Sequence, residues 1–383
     1  MRHLAKQRDA SFFVLFFKTC QYGVLTKKRI EWIDIARGIA IIAVIIGHSL
    51  GNYFPGKFAN FIYAFHMPIF FILSGYLYHQ QDSKKLMKKS FLNLVIPYIA
   101  TVCLELCIII FSRIVPNPIL APSRAHSIKE FAVSVLYAAG ADTQIGNHHI
   151  QAIGALWFLI AMFFGIQLFN QIMKLNIQKN GLIIKGSLTL LCALIGIFSA
   201  RYLTLPFAIQ PALLSQIFFF FGFIVKKYQL INKFGTLLII VSMILWLIDS
   251  QFNLFGFVNA AAQNTWLAIL VGMLSSMVVI KFSILLDKIL SFSRTIWLKR
   301  LLKFWGSQSL LILCFHLIDL DMVQIWPVIV GKFSVVSYTF AIVCGIIYRI
   351  TFASVFAVSM PKIPLLRNFY MNRQYPLKNI FKK

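Results

Sequence analysis

Residues 32–49 read Trp32-Ile33-Asp34-Ile35-Ala36-Arg37-Gly38-Ile39-Ala40-Ile41-Ile42-Ala43-Val44-Ile45-Ile46-Gly47-His48-Ser49. Only Asp34, Arg37 and His48 interrupt an otherwise apolar run. A helix needs roughly 20 apolar residues to cross a bilayer core ~30 Å thick, and a helix satisfies its own backbone in lipid. The stretch 33–51 is therefore read as a membrane span. Arg37 and His48 are eleven positions apart. At about 100° and 1.5 Å per residue they share nearly one face and stand about 16 Å apart. Asp34, Ile41 and Val44 lie on the same face.

The rest of the chain agrees with that reading. Of its 383 residues, 59% are hydrophobic, 15% aromatic and only 13% charged, against about 25% charged in a soluble domain. Mean hydropathy is +0.79. These values exclude a water-soluble globule as well as disordered, collagen-like and disulfide-scaffold chains. Ten candidate spans follow along the sequence, at 33–51, 58–78, 92–111, 153–172, 182–200, 208–225, 234–248, 265–286, 304–320 and 335–358. The seventh is short, and the sixth starts near Pro206 and Pro211. The expected fold is an all-α polytopic membrane protein of about ten transmembrane helices.

Charge sets the expected orientation. Lys and Arg number 37 against 11 Asp and Glu, a net +26. In a soluble protein that excess would suggest nucleic acid. Here it fits loops beside anionic lipid, and no nucleic-acid partner is expected. With the N-terminus inside, only Lys57, Arg113, Arg124, Lys129, Arg201 and Lys332 fall outside. Arg37 and Arg349 lie within spans, and every other basic residue falls inside. The positive-inside rule thus places both termini in the cytoplasm. The expected organisation is a basic N-terminal extension (1–30), a membrane domain (31–360) and a basic C-terminal tail (361–383).

Several smaller features carry less. Residues 12–17 are apolar but too short to span, and no cleavage site follows them. The longest outer segment, 112–151, holds Pro116, Pro118 and Pro122. Cys20, Cys103, Cys107, Cys192, Cys314 and Cys344 show neither a disulfide framework nor zinc spacing. His148 and His149 are adjacent and point to different faces. No bound metal is expected, nor an appended soluble domain.

Ionisable groups inside spans are costly and mark candidate sites. They are Asp34, Arg37, His48, His66, Glu105, Lys281, His316, Asp319 and Arg349. Lys281 reads as a snorkelling residue. Asp319 and Asp321 read as outer groups facing water, and Asp34 with Arg37 as an i,i+3 ion pair. Rise per residue puts His48 about 22 Å, Glu105 about 20 Å and His316 about 18 Å above the inner edge. His66 falls about 12 Å below the outer edge. Arg349 is expected nearer the inner half, like Arg37. The competing reading for His66, Glu105 and His316 is a structural interhelical hydrogen bond.

These groups suit acyl transfer from acyl-CoA. Arg donates paired hydrogen bonds to phosphate, and His is the usual base near neutral pH for an attacking hydroxyl. On that reading His48 is the base, with His66 or Glu105 orienting it. Arg37, Arg349 and the inner-loop lysines take the donor's phosphates.

The first span, with its basic residue, ten residues and then His48, resembles the opening helix of the acyltransferase-3 family of integral-membrane O-acyltransferases. Phe65-His66-Met67-Pro68-Ile69-Phe70-Phe71-Ile72-Leu73-Ser74-Gly75-Tyr76 resembles that family's second helix. Ile96-Pro97-Tyr98, Leu156-Trp157-Phe158-Leu159 and Phe304-Trp305-Gly306-Ser307-Gln308-Ser309-Leu310 through His316 extend the likeness from about residue 30 over nearly the whole chain. The resemblance implies transfer of an acyl group, usually acetyl from acetyl-CoA, to a sugar hydroxyl of a surface polysaccharide, an exported glycan or a lipid-linked sugar. It implies a bacterial cell membrane as the location. It makes His48 catalytic and Arg37 the family's basic residue. Many members carry Arg-x-x-Arg at the third helix, where Lys89-Ser90-Phe91-Leu92-Asn93 stands here. Lys85, Lys88 or Lys89 is then expected to substitute in binding the donor. Some members also carry a fused extracytoplasmic domain. None is expected here, so the chain would act alone or with a separate partner. The rival reading is a transporter or flippase for a glycan or metabolite, since intramembrane Glu and His also serve proton relays. A third is a non-catalytic relative with a binding role.

Overall fold

The computed structural model describes residues 29–50, 56–122, 127–145, 147–292 and 294–377. The chain folds almost entirely into helices. The first is α1 (Glu31–Leu50), then α2 (Gly56–Tyr63) and α3 (Pro68–Tyr76). Next come α4 (Ser83–Ser90), a π-helical turn (Phe91–Val95) and α5 (Ile96–Ile114). After α6 (Ile128–Tyr137) a short hairpin pairs β1 (Thr143–Ile145) with β2 (His148–Ile150), antiparallel, Gln144 opposite His149. Then follow α7 (Trp157–Lys174), α8 (Gly181–Ser199), α9 (Ile209–Lys227) and α10 (Thr236–Asp249). The chain continues through α11 (Thr265–Ile289), α12 (Ile296–Ser307) and α13 (Ser309–Met322). It closes with α14 (Ile325–Phe333), α15 (Tyr338–Ser359) and α16 (Pro364–Tyr370).

Local chemistry explains the helix ends. Asp82, Ser127 and Asn264 each accept a backbone N–H of the turn they open, from Lys85, Glu130 and Leu267, a standard N-cap. Pro68 begins α3 because it has no N–H to give the preceding turn. Pro97 likewise cannot bond back to Asn93, and the helix widens into the π turn just before it.

Among the described residues eight segments are long and apolar enough to cross a membrane: Glu31–Leu50, Gly56–Tyr76, Ser83–Ile114, Gly154–Lys174, Gly181–Ser199, Ile209–Lys227, Thr265–Ile289 and Tyr338–Lys362. The pair α12–α13 makes a ninth if counted as one, but it is bent by 75°. This corrects the straight span expected at 304–320. The expected seventh span, at 234–248, corresponds to α10, whose 14 residues reach about 21 Å, short of a ~30 Å core.

Close helix crossings locate α1. A Cβ on Gly306 would lie 1.6 Å from the Asp34 carbonyl oxygen, and one on Gly38 would lie 2.2 Å from that of Leu302. Only glycine lets α1 and α12 meet backbone to backbone, as small residues do in membrane bundles. Lys299 adds ion pairs to Glu31 and Asp287, both at 2.7 Å. Residues of α1 also pack against α11, α13 and α15, so the first helix is surrounded, and Ile35, Ala36, Ala40 and Ile45 are fully buried.

Candidate active site

The far end of α1 holds the densest group of buried polar side chains on that helix. His48 Nδ1 lies 3.2 Å from His316 Nε2 of α13. The two rings stack at 5.4 Å between centroids and 15° between planes. Ring nitrogens in contact must be one donor and one acceptor, so the pair cannot keep this bond with both imidazoles doubly protonated. When His48 Nδ1–H donates to His316, the lone pair of His48 sits on Nε2, the nitrogen pointing away from its partner. His316 is fully buried, and its own Nδ1 has no hydrogen-bond partner among the described residues.

The backbone beneath His48 is held by α15. Arg349 Nη1 donates to the His48 carbonyl at 3.3 Å and to Ser49 Oγ at 3.2 Å. That carbonyl belongs to the last turn of α1, where no intrahelical donor remains. Arg349 therefore caps the helix as basic side chains do at C-termini. Its Nε faces Asp319 Oδ2 at 3.3 Å. Tyr348 donates to Asp319 Oδ1 at 2.6 Å, and the Trp326 ring lies 4.7 Å from the guanidinium. Asp319 and Arg349 are 0% and 4% exposed, a buried pair whose charges depend on each other.

The other end of α1 is different. Arg37 is half-buried and makes no hydrogen bond or ion pair among the described residues. Asp34 is paired instead with Arg29, at 3.8 Å, which corrects the expected Asp34–Arg37 pair. Arg37 lies within electrostatic reach of Asp34, Arg373 and Arg29. Arg373 keeps exposed surface, yet enough protein surrounds it that desolvation, then the charge of Arg29, lowers its pKa. A guanidinium stays protonated through such a shift.

The remaining expected site residues are dispersed. His66 Nδ1 donates to the Ile62 carbonyl at 3.1 Å, with its ring edge-on to Tyr63 at 4.7 Å. Glu105 is buried beside a small cavity that it lines with Phe131, Ser134, Gln151, Asp321 and Met322. Lys85 and Lys89 are exposed on α4. Arg349 stands at the His48 end of α1, not near Arg37, which corrects its expected depth. It sits in the middle of α15 and reaches the last turn of α1. Asp319, expected to face water, is buried against Arg349. His316 carried a signal in sequence, an imidazole at nearly the depth of His48. Asp319 carried one too, as an in-span carboxylate, but was read as facing water, because depth along a helix does not say which side the residue faces; Tyr348 carried none. Among the described residues no three His, Cys, Asp or Glu side chains assemble a metal site.

Fold and hydropathy together define a polytopic α-helical membrane protein, with a histidine pair and an arginine–aspartate pair built into its interior. The chain belongs to the acyltransferase-3 family: that family's acyltransferase domain matches residues 30–358. It is accordingly a membrane acyltransferase. Searches of curated proteins and of solved structures return no match.

Proposed function

We propose that this protein transfers an acetyl group from acetyl-CoA to a sugar hydroxyl of an exported or cell-surface glycan, with His48 as general base. The observation that carries the reading is the His48–His316 contact at 3.2 Å, on the same helix face as Arg37. An orienting imidazole on Nδ1 leaves Nε2 of His48 as the proton acceptor, the arrangement general-base catalysis needs. Arg349, on the His48 carbonyl, fixes the backbone of the base.

In the reaction, the acceptor hydroxyl loses its proton to His48 Nε2 as its oxygen attacks the thioester carbonyl. The C–S bond breaks, and the thiolate of CoA leaves and takes up a proton. Arg37, about 16 Å from His48 along α1, receives donor phosphates from the cytosolic side, with the lysines of α4, Lys85 and Lys89 among them, adding positive charge. The charge split between loops supports this orientation, with both termini on the cytoplasmic side. The orienting role belongs to His316. His66 serves the packing of its own helix, since it already spends Nδ1 on a backbone carbonyl.

The test is base-labile acetate on the cell's glycan fractions, compared among wild type, a deletion strain and the deletion carrying His48→Ala at matched membrane abundance. Acetate lost on deletion and not restored by the variant is the expected result. Full restoration by His48→Ala would refute the role of the histidine. Unchanged acetate in the deletion strain would refute acetyl transfer to glycans.

A further inference from the structure

The family match stops at residue 358, but the structure continues to do something specific beyond it. After α15 the chain turns at Met360–Lys362 and enters α16. Asn368, Tyr370, Met371 and Asn372 are all buried. The Tyr370 hydroxyl lies 3.0 Å from Thr101 Oγ1 of α5, and its ring is 5.5 Å from Phe315 of α13. The following residues fold back on α16. Asn368 Nδ2 donates to the Pro376 carbonyl at 3.3 Å, and the Arg367 guanidinium sits 4.5 Å from the Tyr375 ring. The basic tail is thus seated against the bundle at the Tyr370 end of its short helix, and the residues after it fold back on that helix.

That seating aims one residue. Arg373 Nε donates to Asn93 Oδ1 at 3.2 Å, on the π turn between α4 and α5. There it comes within electrostatic reach of Arg29 and Arg37. With Arg29 held 3.8 Å from Asp34 of α1 and Arg373 on Asn93, three guanidiniums from distant parts of the chain lie within electrostatic reach of one another near the Arg37 end of α1. Among the described residues the acid within reach of Arg37 is Asp34, already paired with Arg29. Residues 371–377 contribute no carboxylate. Like charges gathered in this way repel unless a polyanion sits among them. Arg373 is anchored by a neutral amide, not by a carboxylate, so its charge is not cancelled by its anchor. Guanidinium forks match phosphate oxygens two at a time.

We infer that Arg373, carried by the C-terminal segment, binds the phosphates of the acyl-CoA donor together with Arg37 and Arg29. The inference rests on the acyl-CoA reading above.

The experiment uses the full-length chain in lipid nanodiscs, with CoA as the probe in calorimetry and acetyl-CoA in steady-state turnover. Arg373→Ala is expected to weaken CoA binding by tenfold or more and to raise the KM for acetyl-CoA in proportion, with kcat within twofold. Arg373→Lys is expected to recover part of the loss, as a point charge without the fork. Lys362→Ala, an exposed cation on the turn before α16, is expected to bind as wild type. Where the alanine variant is destabilised, Arg373→Gln keeps a donor for Asn93 without the charge. CoA affinity within twofold of wild type in the folded alanine or glutamine variant would overturn the role of Arg373 alone. Failure of the wild-type protein to bind CoA would overturn the donor reading and this inference with it.

Discussion

Gly306→Ala tests whether the position of α1 is set by backbone contact. The added Cβ would fall 1.6 Å from the Asp34 carbonyl oxygen, 2.6 Å from its carbon and 2.9 Å from the Gly38 nitrogen. An ordinary C···O approach is about 3.3 Å or more, so α12 and α1 must part by roughly 1.7 Å. No side chain can rotate away, because every atom in the way is backbone. Overpacking typically costs about 1–3 kcal/mol, and here the upper end is expected. A gap of even ~0.5–1 Å forfeits a quarter to a half of each contact's attraction along the crossing. The apparent melting temperature in detergent is expected to drop by about 4 °C, since ~3 kcal/mol is spread over an unfolding entropy of ~2.1 cal/mol/K per residue. Turnover is expected to fall about 100-fold, because a shift near 1 Å at a reacting group costs about that much. Gly331→Ala is the control, since a Cβ there meets nothing within 4 Å. A Gly306→Ala protein with wild-type melting and turnover would refute the argument that this crossing holds α1 in place.

Two further outcomes follow from the other end of α1. His316→Ala should lower acetyl transfer by roughly 100-fold or more while CoA affinity stays within twofold. His316→Gln should recover part of the rate, because its amide oxygen can accept from His48 Nδ1. Equal rates for wild type and alanine variant would remove His316 from the mechanism. Asp319→Ala strands Arg349 in the interior and should cost about 3–5 kcal/mol in thermal or denaturant unfolding. Replacing both Asp319 and Arg349 by leucine should return much of that stability without activity, since the His48 carbonyl loses its donor. Full activity in the double variant would contradict the positioning role of Arg349.

Apolar runs made the helices legible, because lipid allows little else. The breaks inside them were harder to read. A straight span was expected across 304–320, yet Gln308 turns the chain by 75°, and no proline announces it. Depth counting brought His316 near the level of His48 but gave no rotation about α13, so the hydrogen bond was out of reach. The same counting misplaced Arg349, because it does not say which part of α1 the middle of α15 packs against. Asp319 near a helix end looked solvated, and only tertiary packing shows a buried arginine facing it. The tail read as basic and aqueous because its charges outweigh a handful of apolar residues. Tyr370 and Met371, which seat it, are too few to register as periodicity.

The corner at Gln308 has a mechanical consequence. Its two arms are tied to the same helix at different heights: α12 touches α1 at Gly38, and α13 reaches it at His48. His316 stands eight residues beyond the corner, about 12 Å along α13, so a rotation of about 5° there displaces the ring by about 1 Å. A contact 3.2 Å long does not survive many such displacements. Any variant that changes the angle of the corner by a few degrees would therefore separate the histidine pair without touching either ring.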